Sequence, residues 1–300
     1  MRILLCILLT FAMMLSGCSR QADTDSDMLS VVCTSFPSYD FAKNIAGEKA
    51  EVKLLVPVGT DTQSYDPTPT DMIAIDNADL FVAGGGESDE WARELLATLD
   101  NGPDTTLYMT ELVPTISIED DGHGHHIDEH IWTSPVNAVE ISRAIADTLS
   151  AANVENAEYY AANFENYAEK ISVLDGLFRD AVSSGVRNTV VFGDRFPFLY
   201  LAEEYGLDYA AAFSGCSELT EPAAKTVSEL IEKVRSENIP VVFYVEFSNG
   251  KICDAICAET GAKSMLMHSV HNLTKSEFES GADYISIMTE NAKALKEALG

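Results

Sequence analysis

The segment from Glu155 to Ser184 places the strongest constraint on how this chain can fold. Apolar residues recur there at steps of three and four, which is the period of a helix with one buried face. They are Tyr160, Phe164, Tyr167, Ile171, Leu174, Phe178 and Val182. A helix of 30 residues would be about 45 Å long, longer than one small lobe. We therefore predict a helix at 153–185 that bridges two lobes; the alternative is a pair of helices broken at Gly176.

Strand-like and helix-like segments alternate on both sides of this helix. In residues 29–152 the predicted strands are Ser30–Thr34, Val52–Val56, Leu80–Ala83 and Thr105–Tyr108, and the predicted helices are Ser38–Ala46, Thr70–Asn77, Ser88–Leu99 and Val136–Ser150. In residues 186–300 the strands are Thr189–Phe192, Tyr209–Phe213, Val241–Val245 and Ser264–Met267, and the helices are Pro197–Tyr205, Pro222–Glu237, Lys251–Thr260 and Ser276–Leu299. Such alternation predicts an α/β fold with a parallel sheet in each lobe.

The N-terminal residues predict export and a lipid anchor. Arg2 precedes an apolar run from Ile3 to Leu15, which is too short to span a bilayer comfortably. The run ends in Ser16-Gly17-Cys18, which resembles a bacterial lipobox and implies cleavage after residue 17 and acylation of Cys18. The alternative is an ordinary signal peptide with an incidental cysteine. Residues 18–28 are then a polar tether, and the membrane is contacted through the anchor only.

Charge and cysteine spacing exclude several classes of function. The net charge of −29 argues against binding to nucleic acid or to anionic lipid, and it raises the local concentration of cations. The cysteines that remain after export show no zinc-ribbon spacing, so they are predicted to be small buried residues. They are Cys33, Cys216, Cys253 and Cys257.

An acidic segment at 121–130 holds four of the six histidines. Neutral imidazole is the commonest transition-metal ligand, so this segment is a candidate metal-collecting loop. Its accessory histidines are His123, His125 and His126. Its glycines predict that it is neither a regular helix nor a strand. The alternative is a solvated loop without ligands. His130 precedes the apolar pair Ile131-Trp132, which places it on ordered structure.

Residues suited to metal binding follow several of the predicted strands. Ligands bind beyond the carboxyl ends of strands in such sheets, so these positions are the candidate site. The candidates are Gln63, His130, Asp194, Glu246, His268 and His271. A mixed set of imidazoles and carboxylates suits Zn²⁺, and Mn²⁺ tolerates it.

From about Leu29 to the C-terminus, the chain resembles the zinc- or manganese-binding lipoproteins of bacterial ABC importers, the cluster A-I type of solute-binding protein. The motifs that carry the resemblance are Gln63-Ser64-Tyr65-Asp66-Pro67-Thr68-Pro69, Asp128-Glu129-His130-Ile131-Trp132, Tyr205-Gly206-Leu207, Glu221-Pro222, and the positions Tyr284, Asn291 and Leu299. The resemblance implies two Rossmann-like lobes, a rigid bridging helix and one metal in the cleft between the lobes. It also implies a monomer with an ABC permease and its ATPase as partners. The acidic, histidine-rich loop points to the zinc branch.

The chain departs from that family's ligand pattern at three positions. The family usually has a histidine where this chain has Gln63, and its next histidine falls near Asp194 and Arg195. Its last ligand, an Asp or Glu, falls near His268. Only His130 is carried over directly.

Several roles therefore stay open at this point. Gln63 either binds weakly through its carbonyl or is not a ligand, and Asp194 either binds metal or pairs with Arg195. One of His268 and His271 is expected to bind, and position favours His268. Glu246 is expected to hydrogen-bond or cap a helix more readily than to bind.

The leading functional hypothesis is a binding protein, not an enzyme, that captures Zn²⁺ outside the membrane and delivers it to an importer. The first alternative is a manganese-binding importer component. A metal-dependent hydrolase is another, because Glu246 or Asp194 could act as a general base beside an open zinc position. A surface adhesin on the same fold is the last.

Overall fold

The computed structural model describes residues 28–60, 65–99, 101–120, 124–213 and 222–300, and only the backbone of residues 119, 120, 124 and 125. Over these residues the chain forms two parallel sheets, one antiparallel hairpin and a set of covering helices. None of these helices combines the length and the apolar character that crossing a membrane requires.

The N-terminal half is built on a four-stranded parallel sheet. Its strands are β1 (Leu29–Cys33), β2 (Ala50–Leu54), β3 (Leu80–Ala83) and β4 (Thr105–Tyr108), and its helices are α1 (Phe36–Ala46), α2 (Pro69–Asp76) and α3 (Glu90–Leu96). The strand order is β2-β1-β3-β4. Strand β2 lies on one side of β1, and β3 and β4 lie on the other, so the strand order reverses at β1. Such a reversal opens a crevice beyond the carboxyl ends of β1 and β3. Helix α2 is capped by Thr68, two residues before the predicted Thr70.

A hairpin follows this sheet and corrects one prediction. Strands β5 (Ser117–Asp120) and β6 (Gly124–Ile127) pair antiparallel, with Ile118 opposite His126. The expectation that residues 121–130 form no strand is therefore wrong for the second half of the hairpin. The missed signal is the alternation of Ile116 and Ile118 with polar residues, which is typical of a half-buried strand. Once β5 forms, its edge can form backbone hydrogen bonds with the glycine- and histidine-rich strand β6.

Helices α4 (Pro135–Ala152) and α5 (Ala157–Ser183) connect the two halves. The long helix is confirmed, and it runs through Gly176 without a break. A short 3-10 turn, Val154–Asn156, separates α5 from α4.

The C-terminal half repeats the parallel architecture. Its strands are β7 (Thr189–Phe192), β8 (Asp208–Ala211), β9 (Val241–Tyr244) and β10 (Lys263–Leu266), and its helices are α6 (Leu199–Tyr205), α7 (Ala224–Ser236), α8 (Lys251–Thr260), α9 (Lys275–Glu279) and α10 (Tyr284–Leu299). The order β10-β9-β7-β8 again places the first strand of the half at the point where the chain reverses. The α/β fold with parallel sheets is confirmed.

The single helix predicted over Ser276–Leu299 is wrong, because the structure divides it into α9 and α10. Gly281 lies between them with φ +78°, a left-handed conformation that glycine adopts readily. Asp283 then caps α10 by accepting a hydrogen bond from the Ser286 N–H at 2.8 Å.

Helix α5 packs against both halves, since it contacts α1 and α4 on one side and α10 on the other. Its buried residues are Tyr160, Phe164, Tyr167, Ile171, Leu174, Phe178 and Ala181. One polar group lies in this junction: the Tyr167 hydroxyl donates to the buried carboxylate of Asp40, on α1, at 2.8 Å. The N-terminus of α10, at Tyr284, also reaches Asp40.

Candidate metal centre

Glu129, His130 and His271 form a close group of potential metal ligands. Each offers one ligand atom, and these atoms all lie within 4.8 Å of one another. The two imidazole rings meet edge to face, with their centroids 5.3 Å apart. Glu129 and His130 follow the hairpin of the first half, and His271 follows β10 of the second. The two halves of the chain therefore each supply part of the site.

Asp128 orients the ring of His130. Its Oδ1 lies 3.1 Å from Nδ1 of His130 and accepts the backbone N–H of His130 at 2.8 Å. A carboxylate on one ring nitrogen fixes the imidazole and directs the other nitrogen toward a metal. His130 is 2% exposed, so this geometry is set inside the protein and not at its surface.

A glycine turn after β3 makes room for Glu129. A Cβ at Gly86 would collide with Cβ and Oε2 of Glu129, so the two can pack together only because residue 86 has no side chain. Ser88 then holds Oε2 of Glu129, donating from its backbone N–H at 3.1 Å and from its hydroxyl at 2.9 Å. Sequence reasoning missed Glu129 as a candidate ligand; the signal was its place directly before His130.

A second buried carboxylate, Asp89, lies behind the Ser88 turn. It accepts hydrogen bonds from the Thr34 hydroxyl at 2.7 Å and from the Gly84 N–H. Burial raises the pKa of Asp89 to about 6, and the nearby charge of Glu129 adds to the shift.

His271 follows a turn in an uncommon backbone conformation. Val270 has φ +66°, a left-handed value that is a genuine outlier for a β-branched residue. Such a conformation costs about 1–3 kcal/mol, so neighbouring contacts hold it in place. Val270 is fully buried, its N–H donates to Nδ1 of His268 at 2.9 Å, and the Ser269 N–H donates to Glu246 at 2.7 Å. The turn brings His271, and not His268, beside His130.

His268 belongs to a separate set of contacts. Its Nε2 lies 3.6 Å from Oε1 of Glu277, and its Nδ1 lies 3.6 Å from Oε1 of Glu246. Burial alone would lower the pKa of His268, but these carboxylates raise it above its ordinary value. The interaction with His268 also lowers the pKa of Glu277 to about 2. Because Nδ1 of His268 accepts the Val270 N–H, and Nε2 faces Glu277, both ring nitrogens are directed at protein groups and away from the group formed by Glu129, His130 and His271.

The carboxylates of Asp194 and Glu246 are used within the second half. Asp194 accepts the N–H of Arg195 at 2.9 Å and the N–H of Val245 at 3.3 Å. Glu246 accepts hydrogen bonds from the backbone N–H and the hydroxyl of Ser269. Among the described residues, the close group of ligands contains neither of them.

The remaining candidates lie outside the described residues or at the edge of the site. Cys18, Gln63 and His123 are outside the description, as is the side chain of His125. His126, on β6, is described, and its Nδ1 pairs with Oε1 of Glu87, next to the Ser88 turn.

Hydrogen bonds tie the two halves together across the site. The Trp132 indole N–H donates to the Ser269 carbonyl at 2.8 Å, and the Tyr284 hydroxyl donates to the Trp132 carbonyl at 2.8 Å. The Asn272 amide donates to the carbonyls of Pro57 at 2.9 Å and Thr60 at 2.7 Å. We call these four hydrogen bonds the cleft ties.

Comparison with curated proteins finds relatives along most of the chain. Zinc-binding lipoprotein AdcA of Streptococcus pneumoniae serotype 4 is 33% identical over 296 residues, a match covering 95% of this chain and 58% of AdcA. The high-affinity zinc uptake system protein ZnuA of Bacillus subtilis is 31% identical over 304 residues, covering 98% of this chain and 95% of ZnuA. The chain thus spans little more than half the length of AdcA.

Solved structures show the same fold. The Zn(II)-bound ZnuA-like domain of Streptococcus pneumoniae AdcA is 32% identical with a TM-score of 0.78, over 91% of this chain and 99% of that domain. The metal-dependent lipoprotein YcdH of Bacillus subtilis is 30% identical with a TM-score of 0.79, over 91% of this chain and all of YcdH. The family described as "Zinc-uptake complex component A periplasmic" matches residues 31–298. The chain belongs to this family of periplasmic components of zinc-uptake complexes.

Proposed function

We propose that this protein captures Zn²⁺ outside the cytoplasmic membrane and delivers it to an ABC importer made of a permease and an ATPase. The observation that carries the proposal is the convergence of Glu129, His130 and His271 from two halves of the chain. The names of AdcA and ZnuA as zinc-binding and zinc-uptake proteins support it.

In this proposal zinc is the cargo, and two imidazoles with one carboxylate bind it. That ligand set is typical of protein zinc sites, and a higher share of oxygen ligands would favour manganese. Glu129 replaces Asp194 as the carboxylate, and His271 replaces His268 as the second imidazole. Asp194 keeps a supporting role, in which its hydrogen bonds shape the wall of the cleft.

We further propose that the protein is a monomer anchored through acylated Cys18, and that it binds metal without catalysing a reaction. Cys18→Ala is expected to move the protein from the membrane fraction to the medium, or to leave its signal uncleaved.

Titration against a competing chelator tests the central proposal. The protein without residues 1–17 is expected to bind one Zn²⁺ per chain and to prefer Zn²⁺ to Mn²⁺. Deletion of the gene is expected to stop growth in medium depleted of zinc by a chelator, and added zinc is expected to restore it. Absence of stoichiometric zinc binding would refute the proposal, as would preferential binding of manganese.

The glycine turn gives a matched pair of variants. Gly86→Ala is expected to weaken zinc binding by about 10–100-fold, because its methyl group displaces Glu129. Gly176→Ala on α5 is the control, since a Cβ there meets no atom within 4 Å. It is expected to leave zinc affinity unchanged and to stabilise the fold by about 1 kcal/mol. Equal zinc affinities in two folded variants would remove Glu129 from the ligand set.

A further inference from the structure

Arg195 stands apart from the other described arginines. The guanidinium of each of the others has a protein partner: Arg93 with Glu111, Arg143 with Glu140, Arg179 with Asp175 and Glu204, Arg187 with the backbone carbonyls of Ala298 and Gly300, and Arg235 with Glu259. The guanidinium of Arg195 makes no ion pair or hydrogen bond with another residue in the described ranges. It is nevertheless half-buried, in a chain whose net charge is −29. An arginine in this position is available to an anion from outside the protein.

Hydrogen bonds connect the loop of Arg195 to the loop of His271. Arg195 follows β7, and the preceding carboxylate, Asp194, accepts the N–H of Val245 after β9. The next residue, Glu246, accepts from Ser269 after β10, two positions before His271. The loops after β7, β9 and β10 thus form one continuous wall at the carboxyl edge of the second sheet, where ligands bind in such folds. His271 and Arg195 both belong to this wall.

Zinc is almost always four-coordinate in proteins, and the described cluster offers three ligand atoms. Guanidinium binds planar carboxylates through two parallel hydrogen bonds. A small carboxylate can therefore fill the fourth position on zinc and accept hydrogen bonds from Arg195 at once.

We propose that the cleft binds zinc together with a small carboxylate anion, which completes the metal's coordination and is held by Arg195. This inference rests on the proposed zinc-binding function. It assigns Arg195 a binding role for the anion, and it predicts that zinc affinity depends on the anion present.

Replacing Arg195 is expected to affect the zinc affinity differently in perchlorate and in acetate. In perchlorate, which binds metals poorly, Arg195→Gln is expected to bind zinc as tightly as the unmodified protein or more tightly, because a positive charge near the metal is removed. In acetate, the unmodified protein is expected to gain affinity by about 10-fold when acetate is ten times its dissociation constant, as linkage requires. Arg195→Gln is expected to lose most of that gain, so that in acetate it binds zinc more weakly than the unmodified protein.

Chelator-competition titrations at constant ionic strength measure both effects, with perchlorate replaced stepwise by acetate and the zinc–acetate complex in solution taken into account. Arg235→Gln, on the outer helix α7, is the matched control and should follow the unmodified protein. Sulfate in place of acetate is expected to give a smaller gain.

Three outcomes would overturn the inference while leaving the proposed function intact: zinc affinity independent of acetate, an equal acetate effect in Arg195→Gln, or an equal effect of sulfate. Loss of the acetate effect in Arg235→Gln would overturn it too. A protein that binds no zinc in either buffer would contradict both proposals.

Discussion

His271→Ala is expected to lower the affinity for Zn²⁺ by more than about 100-fold, since loss of an outer hydrogen-bonding partner alone costs about 10–100-fold. His130→Ala is expected to cost at least as much, because it removes an imidazole oriented by Asp128. His268→Ala is expected to cost less than about 10-fold, because His268 supports the turn before His271 through Val270 and Glu246 and is not one of the close group of ligands. The two histidines of one loop thus serve as test and control.

Competition titration with circular dichroism on each variant measures this difference. A folded His268→Ala protein that loses as much affinity as His271→Ala would return His268 to the ligand set, as position in the sequence suggested. Unchanged affinity in both His130→Ala and His271→Ala would remove the proposed site altogether.

Asp40→Asn is expected to abolish most of a pH dependence of stability between about pH 4 and pH 7. Burial beneath α5 raises the pKa of Asp40 from 3.8 to about 7, against the opposing effect of its hydrogen bond from Tyr167. Between those pKa values the folded protein keeps a proton that the unfolded chain has released. The contribution of Asp40 to the free energy of unfolding is therefore fully present below pH 3.8, and it is lost as the pH rises to about 7.

The size of this effect is on the order of 4 kcal/mol, from about 1.4 kcal/mol for each pKa unit. Urea unfolding at a series of pH values measures it, and the difference between Asp40→Asn and the unmodified protein should grow with pH and level off above pH 7. Asp147→Asn, exposed on α4, is the control for loss of a carboxylate. Parallel stability curves for Asp40→Asn and the unmodified protein would show that folding does not raise the pKa of Asp40.

The sequence predicted those parts of the fold that local patterns determine. The period of the apolar residues identified α5, and the short apolar runs identified the strands of both sheets. The break at Gly281 was missed because the apolar pattern continues across it. The hairpin was missed because β6, rich in glycine and histidine, has no strand pattern of its own and forms only against β5.

The candidate site depends on longer-range geometry, and the sequence predicted it less well. His130 stood out through its neighbours, but Glu129 becomes a candidate ligand only when Gly86, from another loop, packs against it. The choice between His268 and His271 depends on the left-handed backbone of Val270. No sequence rule assigns that conformation to a β-branched residue, since its cost is offset by contacts from distant segments.

The cleft ties have a consequence for how a bound metal ion would dissociate. They join protein groups directly, so they hold together the walls that carry Trp132 and Asn272 without passing through a metal. A preorganised site spends little free energy on ordering when it binds a ligand. A metal bound in such a site therefore dissociates slowly from the isolated protein. If the protein delivers its metal to an importer as proposed, rapid release requires a docking partner that displaces one wall, breaks the ties and opens an exit. Release would then be a property of the docked complex and not of this protein by itself.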